Sequence, residues 1–219
     1  MKKLLIDSNE AFIPYVKNII EETSFLHESP IRIGVPGGRG AKSVVLGVLS
    51  LKEEIIKRVE LYLIDERLSG ETNKETLYAY GLEEAIKTGI FLSRQLIIPN
   101  LNTPFIVDGE LDILFVGVGE DGHIASLFPH SIHQKSIDDI VLVENSPKPP
   151  PTRVSISYKA LSTYTTHSKI YLLFIGEGKR DPYERFLKGE EGISTLPVAY
   201  FNTHHKSVTV VTNLEQKGI

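Results

Sequence analysis

Apolar runs and segments of helical period alternate along this chain, and their order predicts its architecture. Residues 4–6 read as a short strand, and Ser8 is placed to cap a helix carrying Phe12, Val16, Ile19 and Ile20 at helical spacing. Residues 31–35 are a second strand, followed by Pro36-Gly37-Gly38-Arg39-Gly40 and a helix through Val44, Val45, Val48 and Leu49. Residues 59–64 form a third strand ending at Asp65-Glu66-Arg67, and Asn73 is positioned to cap a helix running through Leu77 and Tyr78 toward Ile86. Further strands are expected at residues 96–98, 113–118, 154–157, 170–175 and 208–211, with a helix over 182–188. Strands alternating with helices predict an α/β fold, a mainly parallel sheet with helices on both faces. The Val- and Ile-rich run at 113–118 has no polar partner positions, as expected of a strand buried on both sides.

Size and composition narrow the picture. At 219 residues, 41% hydrophobic and 24% charged, the chain is expected to form one soluble domain over residues 1–219. The proline-rich stretch at 147–151 (Pro-Lys-Pro-Pro-Pro) is a stiff connector, and the strand–helix rhythm continues beyond it. A net charge of −4 argues against a nucleic-acid binder, so an anionic ligand requires locally gathered cations. The chain has no cysteine, which excludes disulfides, thiolate nucleophiles and Cys-ligated zinc. The basic start, Met1-Lys-Lys, is followed by only three apolar residues before Asp7, short of a secretory segment. No stretch is long and apolar enough to span a membrane. A cytoplasmic protein with no membrane partner is the expectation.

Candidate chemistry recurs where strands end, the place at which open α/β sheets bind ligands. After residues 113–118, a Gly-x-Gly turn delivers Asp121, Gly122 and His123 to one point. A carboxylate and an imidazole so close in sequence suit proton transfer near neutral pH. Gly37, Gly38 and Arg39 follow another strand and open a helix, so their amides and the helix N-terminus favour an anion such as phosphate. Asp65-Glu66-Arg67 reads equally as a solvated turn or as part of a site. Arg153 and Lys179 stand at two further strand boundaries, significant only if the sheet order brings them together. His204 and His205 are not read as metal ligands, because adjacent strand side chains point opposite ways and no partner follows at ligand spacing.

Gly117-Val-Gly-Glu-Asp-Gly-His-Ile-Ala-Ser-Leu-Phe-Pro129 resembles the characteristic segment of the 6-phosphogluconolactonases. Other pieces fall in the same order: Gly37-Gly38, Asp65-Glu66-Arg67, Asn73, Pro151-Thr-Arg-Val-Ser-Ile156, Gly176-Glu-Gly-Lys179 and Leu196-Pro197. The resemblance implies a Rossmann-like fold shared with sugar-phosphate isomerases and deaminases. It also implies hydrolysis of 6-phospho-D-glucono-1,5-lactone in the oxidative pentose phosphate pathway; with no cysteine and no cluster of His and carboxylates at ligand spacing, no metal or cofactor is expected, and a monomer is the expectation. On that reading His123 is the general base and Asp121 supports it. Gly37, Gly38 and Arg39 seat the phosphate, Arg153 and Lys179 clamp it, and Arg67 meets the substrate or its oxyanion.

Two departures stand out: Arg39-Gly40-Ala41 replaces the family's hydroxyl and proline, and the loop from Arg67 to Asn73 is short. The alternatives are a glucosamine-6-phosphate deaminase or isomerase, and a non-catalytic sugar-phosphate sensor. Position 128 separates the first of these. Deaminases of this superfamily carry a glutamate in their ring-opening apparatus where this chain has Phe128, expected instead to dry the pocket wall.

Overall fold

In the computed structural model, which describes residues 1–205 and 207–214, the elements follow the predicted alternation. Residue 206 and residues 215–219, included in the expected domain, lie outside the described residues. The strands are β1 (Lys2–Leu5), β2 (Ile31–Val35), β3 (Val59–Leu63), β4 (Asp65–Arg67), β5 (Leu96–Ile97), β6 (Ile113–Gly117), β7 (Ile140–Val143), β8 (Arg153–Ile156), β9 (Lys169–Phe174) and β10 (Val208–Thr212). The helices are α1 (Ile13–Ser24), α2 (Gly38–Leu49), α3 (Glu53–Ile56), α4 (Asn73–Leu77), α5 (Glu83–Lys87), α6 (Tyr158–Tyr164), α7 (Arg180–Lys188) and α8 (Tyr200–Thr203).

Seven strands form one sheet in the order β1-β10-β9-β6-β2-β3-β5, and every pairing in it is parallel. From the β2–β6 pair the chain builds outward in both directions, so the order reverses there. Side chains alternate between the two faces as the pleat requires. Ile113 and Phe115 of β6 enter one core with α1, α2, α4 and α5, while Leu114 and Val116 enter the other with α6, α7 and α8. All four are at most 1% exposed, and full burial of such a side chain contributes roughly 1.5–3 kcal/mol. The absence of any polar position in this run therefore follows from burial on both faces.

Two local expectations are corrected. The sheet carries helices on both faces as expected, and on the second face β4, β8 and β7 add a separate antiparallel sheet. Its first strand is Asp65–Arg67, a segment whose polar composition gave no sign of a strand. The helix expected from Asn73 to Ile86 is capped by Thr72, whose hydroxyl accepts from the Glu75 amide while Glu75 accepts from the Thr72 amide. It is interrupted at Gly81, whose φ of 110° no helix accommodates. Ser8 does serve the first helical segment, accepting the Ala11 amide at 3.2 Å.

Candidate active site

The carboxyl ends of β9, β6, β2 and β3, four consecutive strands of the large sheet, open onto one cavity of about 680 Å³. Gly37, Gly38, Arg39, Arg67, His123, Arg153 and Lys179 all line it. The glycine turn and the Asp121–His123 turn follow β2 and β6, the pair at which the strand order reverses. This is the switch point where a crevice forms between diverging connections.

The turn after β6 folds back on itself. Val118 bridges to Ile124, the Gly119 amide donates to the His123 carbonyl at 2.8 Å, and the Gly122 amide donates to the Gly119 carbonyl at 3.0 Å. Asp121 Oδ1 lies 2.5 Å from His123 Nδ1 and 3.2 Å from its amide nitrogen. Burial disfavours charge on the Asp121 carboxyl, but the hydrogen bonds and charge of His123, with help from Lys148, hold it well below the usual carboxylate range. A carboxylate on Nδ1 selects the tautomer protonated there and leaves Nε2 as an acceptor. The imidazole rests on Gly119 and tilts against the Phe128 ring at 4.5 Å between centroids. Phe128 thus backs the imidazole and is not among the cavity-lining residues, so the expectation that it dries the pocket wall is corrected.

Asp65 and Glu66 are not solvated turn residues; each is 5% exposed. Glu66 satisfies the start of α4, accepting the Asn73 amide at 2.6 Å and the Lys74 amide at 2.9 Å. Asp65 accepts Asn73 Nδ2 at 3.0 Å on one oxygen and the Ser126 hydroxyl at 2.6 Å on the other. Burial pushes its carboxyl pKa up, against the pull of Ser126, Arg153, His123 and Arg67. Sequence reasoning placed this carboxyl in the chain but not in the cavity that His123 also lines.

The opposite side of the cavity is cationic. Gly37 is the N-cap of α2, and an ideal Cβ built on it falls 2.0 Å from Asn73 Oδ1, so only glycine fits. The α2 N-terminus brings unpaired amides and the positive end of its dipole to this corner. Burial lowers the Lys179 pKa; Lys148 and Arg39 add to this, opposed by Glu120 and Asp121. Arg67 donates from Nη1 to the Glu71 carbonyl at 2.9 Å, which fixes its fork at the cavity.

Arg153 is 6% exposed and lies 5.6 Å above the Phe128 ring. It donates from Nε to Pro150 O at 3.1 Å and from Nη2 to Lys148 O at 2.9 Å and Pro149 O at 3.0 Å. Most of its donors thus hold the proline loop, leaving Nη1 for the cavity. Lys148, a lining residue that the sequence reading passed over, belongs to that loop. His204 stacks on Tyr200 at 4.4 Å, and His205 Nε2 lies 3.2 Å from Thr165 Oγ1, both away from the cavity.

A family model described as "Glucosamine-6-phosphate isomerases/6-phosphogluconolactonase" matches residues 97–210, just over half of the chain. A putative 6-phosphogluconolactonase of Caenorhabditis elegans is 27% identical over 183 residues, covering 71% of this chain and 66% of that protein. Other curated relatives are matched over less of their length, down to 35%. The crystal structure of a 6-phosphogluconolactonase from Thermotoga maritima superposes with a TM-score of 0.72 at 19% identity, over 96% of both chains. A monomeric glucosamine-6-phosphate deaminase superposes with a TM-score of 0.70 at 17% identity, over 97% of both chains. At such identity the superpositions speak for the fold alone.

Proposed function

The chain belongs to the glucosamine-6-phosphate isomerase/6-phosphogluconolactonase family, and from that premise we propose that it hydrolyses 6-phospho-D-glucono-1,5-lactone to 6-phosphogluconate. The observation that carries this reading is the Asp121–His123 pair, with Nδ1 held and Nε2 left for the cavity that the α2 N-terminus also lines. This reading takes residues 1–219 as one catalytic domain, active as a cytoplasmic monomer on a small phosphorylated lactone.

The lactone carbonyl is already electrophilic, so the protein needs to activate water and stabilise an oxyanion. His123 Nε2 takes a proton as water attacks C1, and the Asp121 carboxylate stabilises the imidazolium that forms. Arg67 stands by the developing oxyanion. When the tetrahedral intermediate collapses, the bond from C1 to the ring oxygen breaks. The imidazolium returns its proton to that oxygen, leaving an open-chain acid that ionises. The phosphate sits on the amides of Gly37, Gly38 and Arg39, with Lys179 and the buried charge of Arg153 opposite. Removing the Lys179 ammonium should weaken 6-phosphogluconate binding roughly ten- to hundredfold, as expected for a charge-assisted contact. Calorimetric titration of Lys179→Ala checks this, and unchanged affinity would place the phosphate elsewhere.

One observation favours a second reading. Asp65 supplies a second carboxyl to the cavity that His123 also lines, and amino-sugar isomerisation and deamination require a carboxyl for moving a proton between C1 and C2. Both of its oxygens are already engaged by Asn73 and Ser126, however, and the side chain packed against the imidazole is the aromatic ring of Phe128, which carries no proton. We therefore expect rapid acid release from freshly prepared 6-phosphogluconolactone and no ammonia from glucosamine 6-phosphate, even at high protein concentration. Ammonia at an enzymatic rate would overturn the lactonase reading in favour of the deaminase.

A further inference from the structure

The segment after β1 reaches the site from the edge of the sheet. Asn9 and Glu10 line the cavity, so a fifth strand end joins those of β9, β6, β2 and β3. An asparagine before a helical turn ordinarily caps it, its side chain accepting an amide of that turn. Asn9 precedes the turn Glu10–Phe12, yet its side chain makes no cap, and Ser8 takes the Ala11 amide instead. The Asn9 side chain is turned to a residue thirty positions away: Nδ2 donates to the Arg39 carbonyl at 3.0 Å. The backbone beneath it is pinned by Ser43, fully buried in α2, whose hydroxyl donates to the Asn9 carbonyl at 2.6 Å. Asn9 Oδ1 is buried with no partner among the described residues. Leaving that acceptor unpaired costs desolvation that the fold does not recover, so the placement of the side chain rests on its grip on Arg39.

That grip acts directly on the turn that opens α2. Gly38, Arg39 and Gly40 are the first three residues of the helix, where amides lack intrahelical partners. The carbonyl of Arg39 and the amide of Gly40 share one planar trans peptide, so holding the oxygen fixes the opposite direction of the N–H. In a helix that direction is toward the N-terminus, here the corner that Gly37, Gly38 and Gly40 line. The turn needs such support because Gly38 takes a φ of 65°, a conformation that glycine also leaves readily. Resting on the lactonase reading, we propose that Asn9 is a positioning residue for phosphate binding, holding the Arg39–Gly40 peptide so that the free amides at the start of α2 converge on the anion. The contact exists before the ligand arrives, so it lowers the ordering cost of binding and takes no part in proton transfer at His123.

The test compares Asn9→Ala and Asn9→Asp with the parent on the full chain, using 6-phosphogluconate and inorganic phosphate as calorimetric titrants. Loss of one neutral hydrogen bond should weaken both ligands roughly two- to tenfold in Asn9→Ala. Asn9→Asp keeps the shape, loses the donor and adds a charge of the ligand's own sign, so its loss should exceed that of Asn9→Ala. KM for the phosphorylated lactone should rise by the same factors while kcat holds, and turnover of unphosphorylated gluconolactone should change far less. A merely structural role would lower the unfolding midpoint in urea and leave the affinity of the folded protein at the parental value, which would overturn the proposal. A loss confined to kcat, or Asn9→Asp binding phosphate as well as the parent, would overturn it equally. Failure of the parent to hydrolyse the phosphorylated lactone would instead sink the lactonase reading, and the inorganic phosphate titrations would still decide the role of Asn9.

Discussion

Replacing His123 with alanine should lower kcat/KM for 6-phosphogluconolactone about 10²–10⁴-fold, the usual loss for a positioned general base. The imidazole is held from two sides, by the 2.5 Å contact of Nδ1 with Asp121 and by the Phe128 ring behind it. Only Nε2 is left for water, and alanine offers no other acceptor at that point. The fold should persist, because the backbone bonds of the turn, Gly119 amide to His123 carbonyl and Gly122 amide to Gly119 carbonyl, do not involve the ring. The measurement must subtract spontaneous lactone hydrolysis, for example by pH-stat at several protein concentrations. A variant with near-parental turnover and intact cooperative unfolding would remove His123 from the chemistry.

Gly119→Ala should be almost as damaging, although residue 119 brings no functional group. An ideal Cβ at Gly119 lies 1.9 Å from His123 Nδ1 and 2.1 Å from Cε1. No real contact is that short, so either the ring swings away from Asp121 or the turn opens. The strain is spatial and not conformational, since Gly119 is absent from the glycines with positive φ. Displacing a reacting group by about 1 Å can cost on the order of 10² in rate, and we expect at least that loss of lactonase activity. Affinity for 6-phosphogluconate should fall far less, because the α2 N-terminus and Lys179 are untouched. Parental activity in Gly119→Ala would mean that the ring does not rest on this residue.

Much of the molecule was legible along the chain. The strand–helix alternation and the buried strand Ile113–Gly117 followed from apolar periodicity, which is a local property of the chain. The Asp121–His123 pairing was equally visible, because a tight turn joins residues two apart whatever surrounds them. The glycines at 37 and 38 likewise marked a helix opening from a strand end.

Other features were not legible, because they depend on which segments become neighbours. No periodicity dictates the order β3-β2-β6-β9, and that order alone gathers four distant strand ends around one cavity. Asp65-Glu66-Arg67 read equally as a solvated turn or as part of a site until β8 paired with it and Ser126 and Asn73 closed over Asp65. Arg153 looked like a free cation in sequence, yet its donors turn back onto the loop that precedes it. Lys148 looked like a charge within a proline spacer until that loop was folded against the cavity. Local rules of period and turn chemistry determine the elements and the short-range contacts. Long-range packing decides which polar groups are buried together, and with them which charges face the ligand.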